Sequence, residues 1–219
     1  MKIGSILFDL DGTLVDSLED LTDAVNHVRQ QFALFPLSSA DVRILVGKGA
    51  RNLVSRALPG CGTPEIERAL QLFLDYNSGH IADKSRLYPG VPEMLQILRN
   101  RGIRLAVISN KNESLSRLIL QWLGIAHYFE AITGGDTFPE NKPSPLPLLE
   151  TLKVMETKAE ECLMVGDSIN DFQAGNRAGI ATIGCSWGYG FPEELEQSAY
   201  RADSCADLLK TIGMLEQTA

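Results

Sequence analysis

Two aspartates one residue apart, Asp9 and Asp11, stand in the segment Phe8-Asp9-Leu10-Asp11-Gly12-Thr13-Leu14-Val15-Asp16. They follow a short apolar run, Ile3 to Phe8, which reads as a strand. In open α/β sheets, ligands bind beyond the carboxyl ends of the strands, and Asp9 falls at such an end. Gly12 permits a tight turn, which lets Asp11 come back over the same space. Two carboxylates held close repel each other unless a cation or a shared proton relieves them. Mg²⁺ takes carboxylate oxygens readily and keeps coordination places for water and phosphate. Taken alone, both acids would also serve as ordinary turn residues.

Three further segments carry residues of the same kind. Ser109-Asn110-Lys111 ends the apolar run that begins at Arg104. Lys142-Pro143 lies within Asn141-Lys142-Pro143-Ser144-Pro145. Gly166-Asp167-Ser168-x-x-Asp171 follows the run Cys162 to Val165. Each has a plain structural reading. Ser109-Asn110 could cap a helix, Lys142 could be a solvated loop lysine, and Asp167 could cap a helix near Ile169. In order, and each in a strand-loop context, the four segments resemble the motifs of the haloacid dehalogenase-like (HAD) hydrolase superfamily. The resemblance covers nearly the whole chain.

That resemblance implies a chemistry. Asp9 would be the nucleophile, attacking phosphorus to form an aspartyl-phosphate. Asp11 would be the general acid for the leaving alkoxide, then the general base for the hydrolytic water. The metal would sit on the Asp9 carboxylate, the Asp11 main-chain carbonyl and the Asp167 carboxylate, with Asp171 supporting that shell. Ser109 would donate its hydroxyl, and Asn110 its main-chain N–H, to the phosphoryl oxygens. Lys142 would supply a fixed positive charge where negative charge accumulates.

Between Asp16 and Ala82 the residues give helical patterns and no strand. Leu18, Leu21, Val25 and Val28 recur at three- and four-residue spacing, as do Ile66, Leu70, Phe73 and Leu74. Pro36, Pro59-Gly60 and Gly62-Thr63-Pro64 punctuate them. Outside this insert, strand signals alternate with helical ones: Arg104 to Ser109, Ala131 to Thr133, Cys162 to Val165 and Ile180 to Ile183 against Val91 to Arg101, Glu113 to Leu123, Leu146 to Met155 and Ile169 to Ala178. The expectation is an α/β fold: a Rossmann-like parallel sheet core, residues 1–15 and 83–219, with an inserted all-helical cap domain, residues 16–82. In the resembled superfamily a helical cap inserts at this place and closes over the site.

The cap segment Gly47-Lys48-Gly49-Ala50-Arg51-Asn52-Leu53 suits close approach to a ligand and makes Lys48 a candidate for substrate specificity; a surface loop between helices would read the same way. This segment, and the tail Trp187-Gly188-Tyr189-Gly190, is similar to phosphoglycolate phosphatases. For the tail, a glycine-rich turn with two packed aromatics is the simpler reading. β-Phosphoglucomutases are a related branch, but they carry Glu before the metal-binding Asp, where this chain has Gly166. A non-catalytic, phosphate-responsive receiver is a third reading; receivers are shorter and lack an insert near the start. The expected activity is Mg²⁺-dependent hydrolysis of a small organic phosphate monoester, with phosphoglycolate the best single substrate.

Composition sets outer limits. The 219 residues are 44% hydrophobic and 22% charged, as in a folded globular protein. A net charge of -8 disfavours nucleic acid and anionic membranes as partners. Nothing resembles a membrane span or a signal peptide. The four cysteines, Cys61, Cys162, Cys185 and Cys205, are scattered, which fits isolated thiols in a reducing cytoplasm. The expected partner is a small phosphorylated metabolite, met by a cytoplasmic monomer or homodimer.

Overall fold

A computed structural model describes residues 2–217; the expected core termini at residues 1, 218 and 219 lie outside them. The chain opens with β1 (Ser5–Phe8) and β2 (Val15–Asp16), then α1 (Leu18–Gln31), α2 (Ser39–Arg43), α3 (Ala50–Ala57) and α4 (Thr63–Gly79). It returns through β3 (Arg86–Leu87) and α5 (Val91–Asn100) to β4 (Arg104–Ile108), α6 (Glu113–Trp122) and β5 (Ala131–Thr133). The rest is α7 (Leu146–Val154), β6 (Cys162–Gly166), α8 (Ile169–Ala178), β7 (Ala181–Cys185), β8 (Tyr200–Ala202) and α9 (Cys205–Gln217).

The main sheet has six strands in the order β5-β4-β1-β6-β7-β8, and every pairing is parallel. β1 is central, and all its residues are buried. That is why its sequence runs apolar without alternation: both faces are covered by helices. One face packs Ile6 and Phe8 with α5, α6 and α9 residues such as Leu95, Ile119 and Leu208. The other packs Leu7, Ala106 and Met164 against Leu148, Leu152 and Ala174 from α7 and α8.

The helices of the insert form their own apolar cluster, with Leu21, Val25, Val28, Leu53, Ile66 and Phe73 at its centre. Apart from Leu53 of α3, these are among the residues whose helical spacing marked α1 and α4. The insert leaves and rejoins the sheet through a ribbon of β2 and β3, where Val15 pairs with Leu87 and Asp16 with Arg86 in antiparallel register. Buried Asp20, early in α1, clamps the return path: it accepts from Ser85 N–H (2.8 Å), Ser85 Oγ–H (2.6 Å) and Lys84 N–H. The ribbon and β8 lack a counterpart in the strand signals read from the sequence.

Among the described residues, no helix is long and apolar enough to cross a membrane. The four cysteines are unpaired thiols, as expected, and three of them are buried.

Candidate active site

Each chemistry-bearing segment begins where a strand stops. Asp9 follows β1 and extends its ladder by one bond, Asp9 N–H to Val165 O at 2.8 Å. Ser109 follows β4 and does the same, with its N–H on Thr133 O at 3.0 Å. Asp167 follows β6 directly. Because β4, β1 and β6 are neighbours in the sheet, their carboxyl ends deliver these residues side by side. Lys142, from the stretch between β5 and α7, reaches into the same place.

The lysine is the hub. Its Nζ donates to Asp9 Oδ1 (2.7 Å), Asp171 Oδ1 (2.7 Å) and the Ile108 carbonyl (2.6 Å). It is only 3% exposed, so the reading as a solvated loop lysine does not hold. Burial disfavours its charge, but Asp171 and then Asp9 outweigh that and hold the ammonium form. Asp9 lies on the other side of the balance. Burial raises its pKa well above the ordinary carboxylate range; Lys142 opposes this, while Asp171 and Asp167 add to it. A single lysine shared between acids leaves Asp9 under-compensated.

Carboxylate oxygens of Asp9, Asp167 and Asp171 lie within 4.8 Å of one another. Three buried acids and one lysine leave negative charge to be balanced, and a hard divalent cation with oxygen ligands fits that donor set. The acids differ in their commitments. Asp171 gives Oδ1 to Lys142 and Oδ2 to Ser168, whose N–H (3.0 Å) and Oγ–H (2.9 Å) both donate to it, closing a capping box at the start of α8. It is thereby tied down on both oxygens. Among the described residues nothing donates to Asp9 Oδ2. Asp167 accepts from Tyr189 N–H (2.6 Å), Gly190 N–H (3.2 Å) and Thr13 Oγ–H (3.1 Å).

Asp11 stands apart from that cluster. Gly12, at φ +90°, makes the turn that carries it back; a side chain there would strike the Asp167 carboxylate. Ser17 Oγ–H donates to Asp11 Oδ1 at 2.5 Å, and Lys111 Nζ stands 3.5 Å from both Asp11 oxygens.

Ser109 is buried, and its Oγ accepts from Lys111 N–H. Asn110 is also buried; its Nδ2 donates to Lys142 O and to Gly47 O of the insert, both at 2.8 Å. Neither caps α6, whose cap position is Asn112.

Asp9, Asp11, Ser109, Asn110, Lys142 and Asp171 thus meet around one cavity of about 50 Å³. Lys48 is not among its lining residues. It is exposed and borders a wider cleft of about 300 Å³ that also opens onto Asp9, Asp11 and Asp167. The tail Trp187-Gly188-Tyr189-Gly190 has a larger role than a packed turn. Besides holding Asp167, it ties Trp187 Nε1–H to Thr13 O (3.1 Å), and the Tyr189 hydroxyl accepts from Ser17 N–H (2.6 Å). Asn77 and Arg43, each lining one of the clefts, escaped the sequence reading, and Lys111 was named there without a role. Only Lys111 had a signal there, its place directly after Ser109-Asn110.

Known proteins share this arrangement of chain. The haloacid dehalogenase-like hydrolase profile matches residues 6–185. The phosphoglycolate phosphatase of Chromobacterium violaceum is 41% identical over 192 residues, covering 85% of this chain and 86% of its own. That of Vibrio parahaemolyticus is 39% identical and covers 95% and 96%. A crystal structure described as a predicted phosphoglycolate phosphatase from Haemophilus somnus superposes with a TM-score of 0.92 at 34% identity, over 97% of this chain and 99% of that one. With its motifs lodged at three adjacent strand ends and most of its length matched, this chain belongs to the haloacid dehalogenase-like hydrolases.

Proposed function

We propose that this protein is a Mg²⁺-dependent phosphatase that hydrolyses phosphoglycolate through an aspartyl-phosphate. The observation that carries the reading is the buried Lys142 hub, which holds Asp9 beside Asp171 in the lining of a small cavity that Asp11 shares. The relatives' shared name supplies the substrate.

In this reading Asp9 attacks phosphorus in line, and the bond to the leaving oxygen breaks. The Asp11 carboxyl proton passes to that oxygen, and glycolate departs. The Asp11 carboxylate then takes a proton from water, whose oxygen attacks the same phosphorus and releases inorganic phosphate and free Asp9. Ser109 Oγ–H and Asn110 N–H donate to the phosphoryl oxygens, and Lys142 holds positive charge beside them. Asp9, Asp167 and the Asp11 carbonyl would hold Mg²⁺, with Asp171 steadying the shell; the bound ion offsets charge between nucleophile and phosphate and favours the Asp9 carboxylate. Lys48 lies on the outer cleft, where it would meet an incoming anion.

Residues 16–82 act as the cap in this proposal, and 1–15 with 83–219 as the core. The insert's own apolar cluster, with Leu21, Val25, Leu53 and Phe73, supports that division, while Leu74, Ile81 and Ala82 at its end pack with the core. The working form would be a cytoplasmic monomer or homodimer with no nucleic-acid or membrane partner.

A kinetic panel tests it, with phosphoglycolate, hexose phosphates, pyrophosphate and nucleotides, each with and without Mg²⁺. Phosphoglycolate is expected to show the highest kcat/KM, with phosphate released rather than moved along a sugar. Asp9→Asn should lower kcat by roughly 10³-fold or more while the melting curve stays cooperative. Near-normal phosphate release by that variant would sink the nucleophile assignment.

A further inference from the structure

Among the polar side chains lining the cavity that holds Asp9 and Asp11, the phosphoryl chemistry gives Lys111 and Asn77 no task, and neither is engaged as Asn112 is with Asp136 and Asn170 with Gly47 O. Lys111 is 9% exposed. Its Nζ reaches Asp11 only at 3.5 Å, the limit of hydrogen bonding, while Ser17 Oγ holds Asp11 far more closely. Lys142, in contrast, has close acceptors on every side. A buried ammonium as loosely paired as that of Lys111 favours a further anion.

Asn77 comes from the cap. The buried face of α4 carries Ile66, Ala69, Phe73 and Asn77, and only the last is polar. Asn77 is 1% exposed, and its Oδ1 has no hydrogen-bond partner among the described residues. An amide buried without a partner costs stability, so a ligand that satisfies it is favoured. Half a turn of the amide exchanges Oδ1 for Nδ2 with no change of shape, so the group can present N–H to an anion. Around it the cavity wall is apolar, with Leu21, Leu53 and Phe73.

We propose that Asn77 and Lys111 select a leaving group that bears a carboxylate. Lys111 supplies the charge from the core, and Asn77 a hydrogen-bond donor from the cap. The inference rests on the phosphatase reading above and adds the residues that choose its substrate class. A substrate without the carboxylate leaves both groups unsatisfied, which a site built to hydrogen-bond penalises strongly.

The test compares kcat/KM for phosphoglycolate with that for ethyl phosphate, a neutral-tailed monoester of similar size, in the presence of Mg²⁺. The wild-type protein should prefer phosphoglycolate. Asn77→Leu, close in size, should cut that preference roughly 10- to 100-fold. Asn77→Asp, equal in shape but anionic, should cut it further, and Lys111→Met should also reduce it. Melting curves check folding, and Asn77→Ser replaces the leucine variant if that one does not fold. Equal losses on both substrates would mean a purely structural or phosphoryl-binding role and overturn the assignment, as would an unchanged preference. A wild-type protein indifferent to the carboxylate would also overturn it while leaving the phosphatase reading intact. Absence of Mg²⁺-dependent release from any phosphate ester would remove that reading itself, and this inference with it.

Discussion

Asp167 accepts three hydrogen bonds, yet its carboxyl group is pushed up to about 7 from an ordinary 3.8. Burial is the main cause and Asp171 adds to it; the N–H groups of Tyr189 and Gly190 and the Thr13 hydroxyl only partly oppose them. A carboxyl whose folded pKa is raised stabilises the fold in its protonated form. That contribution is full below about 3.8 and is lost as pH rises through about 7. In the proposed metal site, a divalent cation competes with the same proton. Mg²⁺ is therefore expected to raise the melting temperature more at pH 8 than at pH 5. In metal-free protein, Asp167→Asn should gain stability relative to wild type as pH goes from 5 to 8, by about 1–3 kcal/mol. Denaturant melts at the two pH values measure this, and a difference that does not depend on pH would contradict the origin given for the shift. Asp9, Asp11 and Lys142 share with Asp167 a property that made them legible in sequence: each sits in a short motif in a strand-loop setting. Asn77 had no such marker, because its isolation is created by α4 packing over the cavity.

At the scale of elements, the segment after β7 decides how well Asp167 is held. Its backbone must pass so close that a Cβ on Gly190 would overlap the Asp167 carbonyl oxygen, and one on Gly188 would overlap the Asp167 side chain and Gly12 O. Gly190→Ala must push this segment away and weaken the N–H groups that orient Oδ2. In the proposed Mg²⁺ site, loss of such an outer support should raise the Mg²⁺ concentration for half-maximal activity roughly 10- to 100-fold. A titration of activity against Mg²⁺ checks it, and an unchanged midpoint would show that the segment does not position the ligand. The sequence singled out these glycines but not their purpose, since close approach is a property of two segments together. Longer elements were readable for the opposite reason. β4, β6, α4 and α8 each carry a run or a period long enough to declare itself. Two-residue strands such as β2 and β3 carry no period, and β8 is a three-residue sheet-edge strand with Arg201 at its centre. Their pairing is dictated by where the insert leaves and rejoins the sheet.

Across the whole molecule, the helical insert has an apolar cluster of its own, joined to that of the sheet through Leu74 and Ile81, and hydrogen bonds bridge the two at the site. Asn110 and Asn170 both donate to Gly47 O, at 2.8 and 3.3 Å. Arg43, at the end of α2, donates through Nε to Tyr189 O (2.9 Å) and through its NH2 nitrogen to Gly188 O (3.0 Å). The latter pair joins the cap to the same segment whose N–H groups hold Asp167. Contacts of this polar kind can break and re-form at low cost, which the lid role proposed for residues 16–82 requires. Arg43 is exposed, so its loss should leave global stability within about 0.5 kcal/mol. Under the proposed lid role, removing it should instead lower kcat/KM by roughly 3- to 30-fold, with KM rising. Arg43→Lys keeps the charge but cannot span both carbonyls, so it should recover only part of the loss. Steady-state kinetics and thermal melts on both variants decide it. Full recovery by the lysine would reduce Arg43 to a local positive charge, whereas partial recovery with unchanged melting marks it as the bond that couples the proposed closure of the insert to the acid at the end of β6.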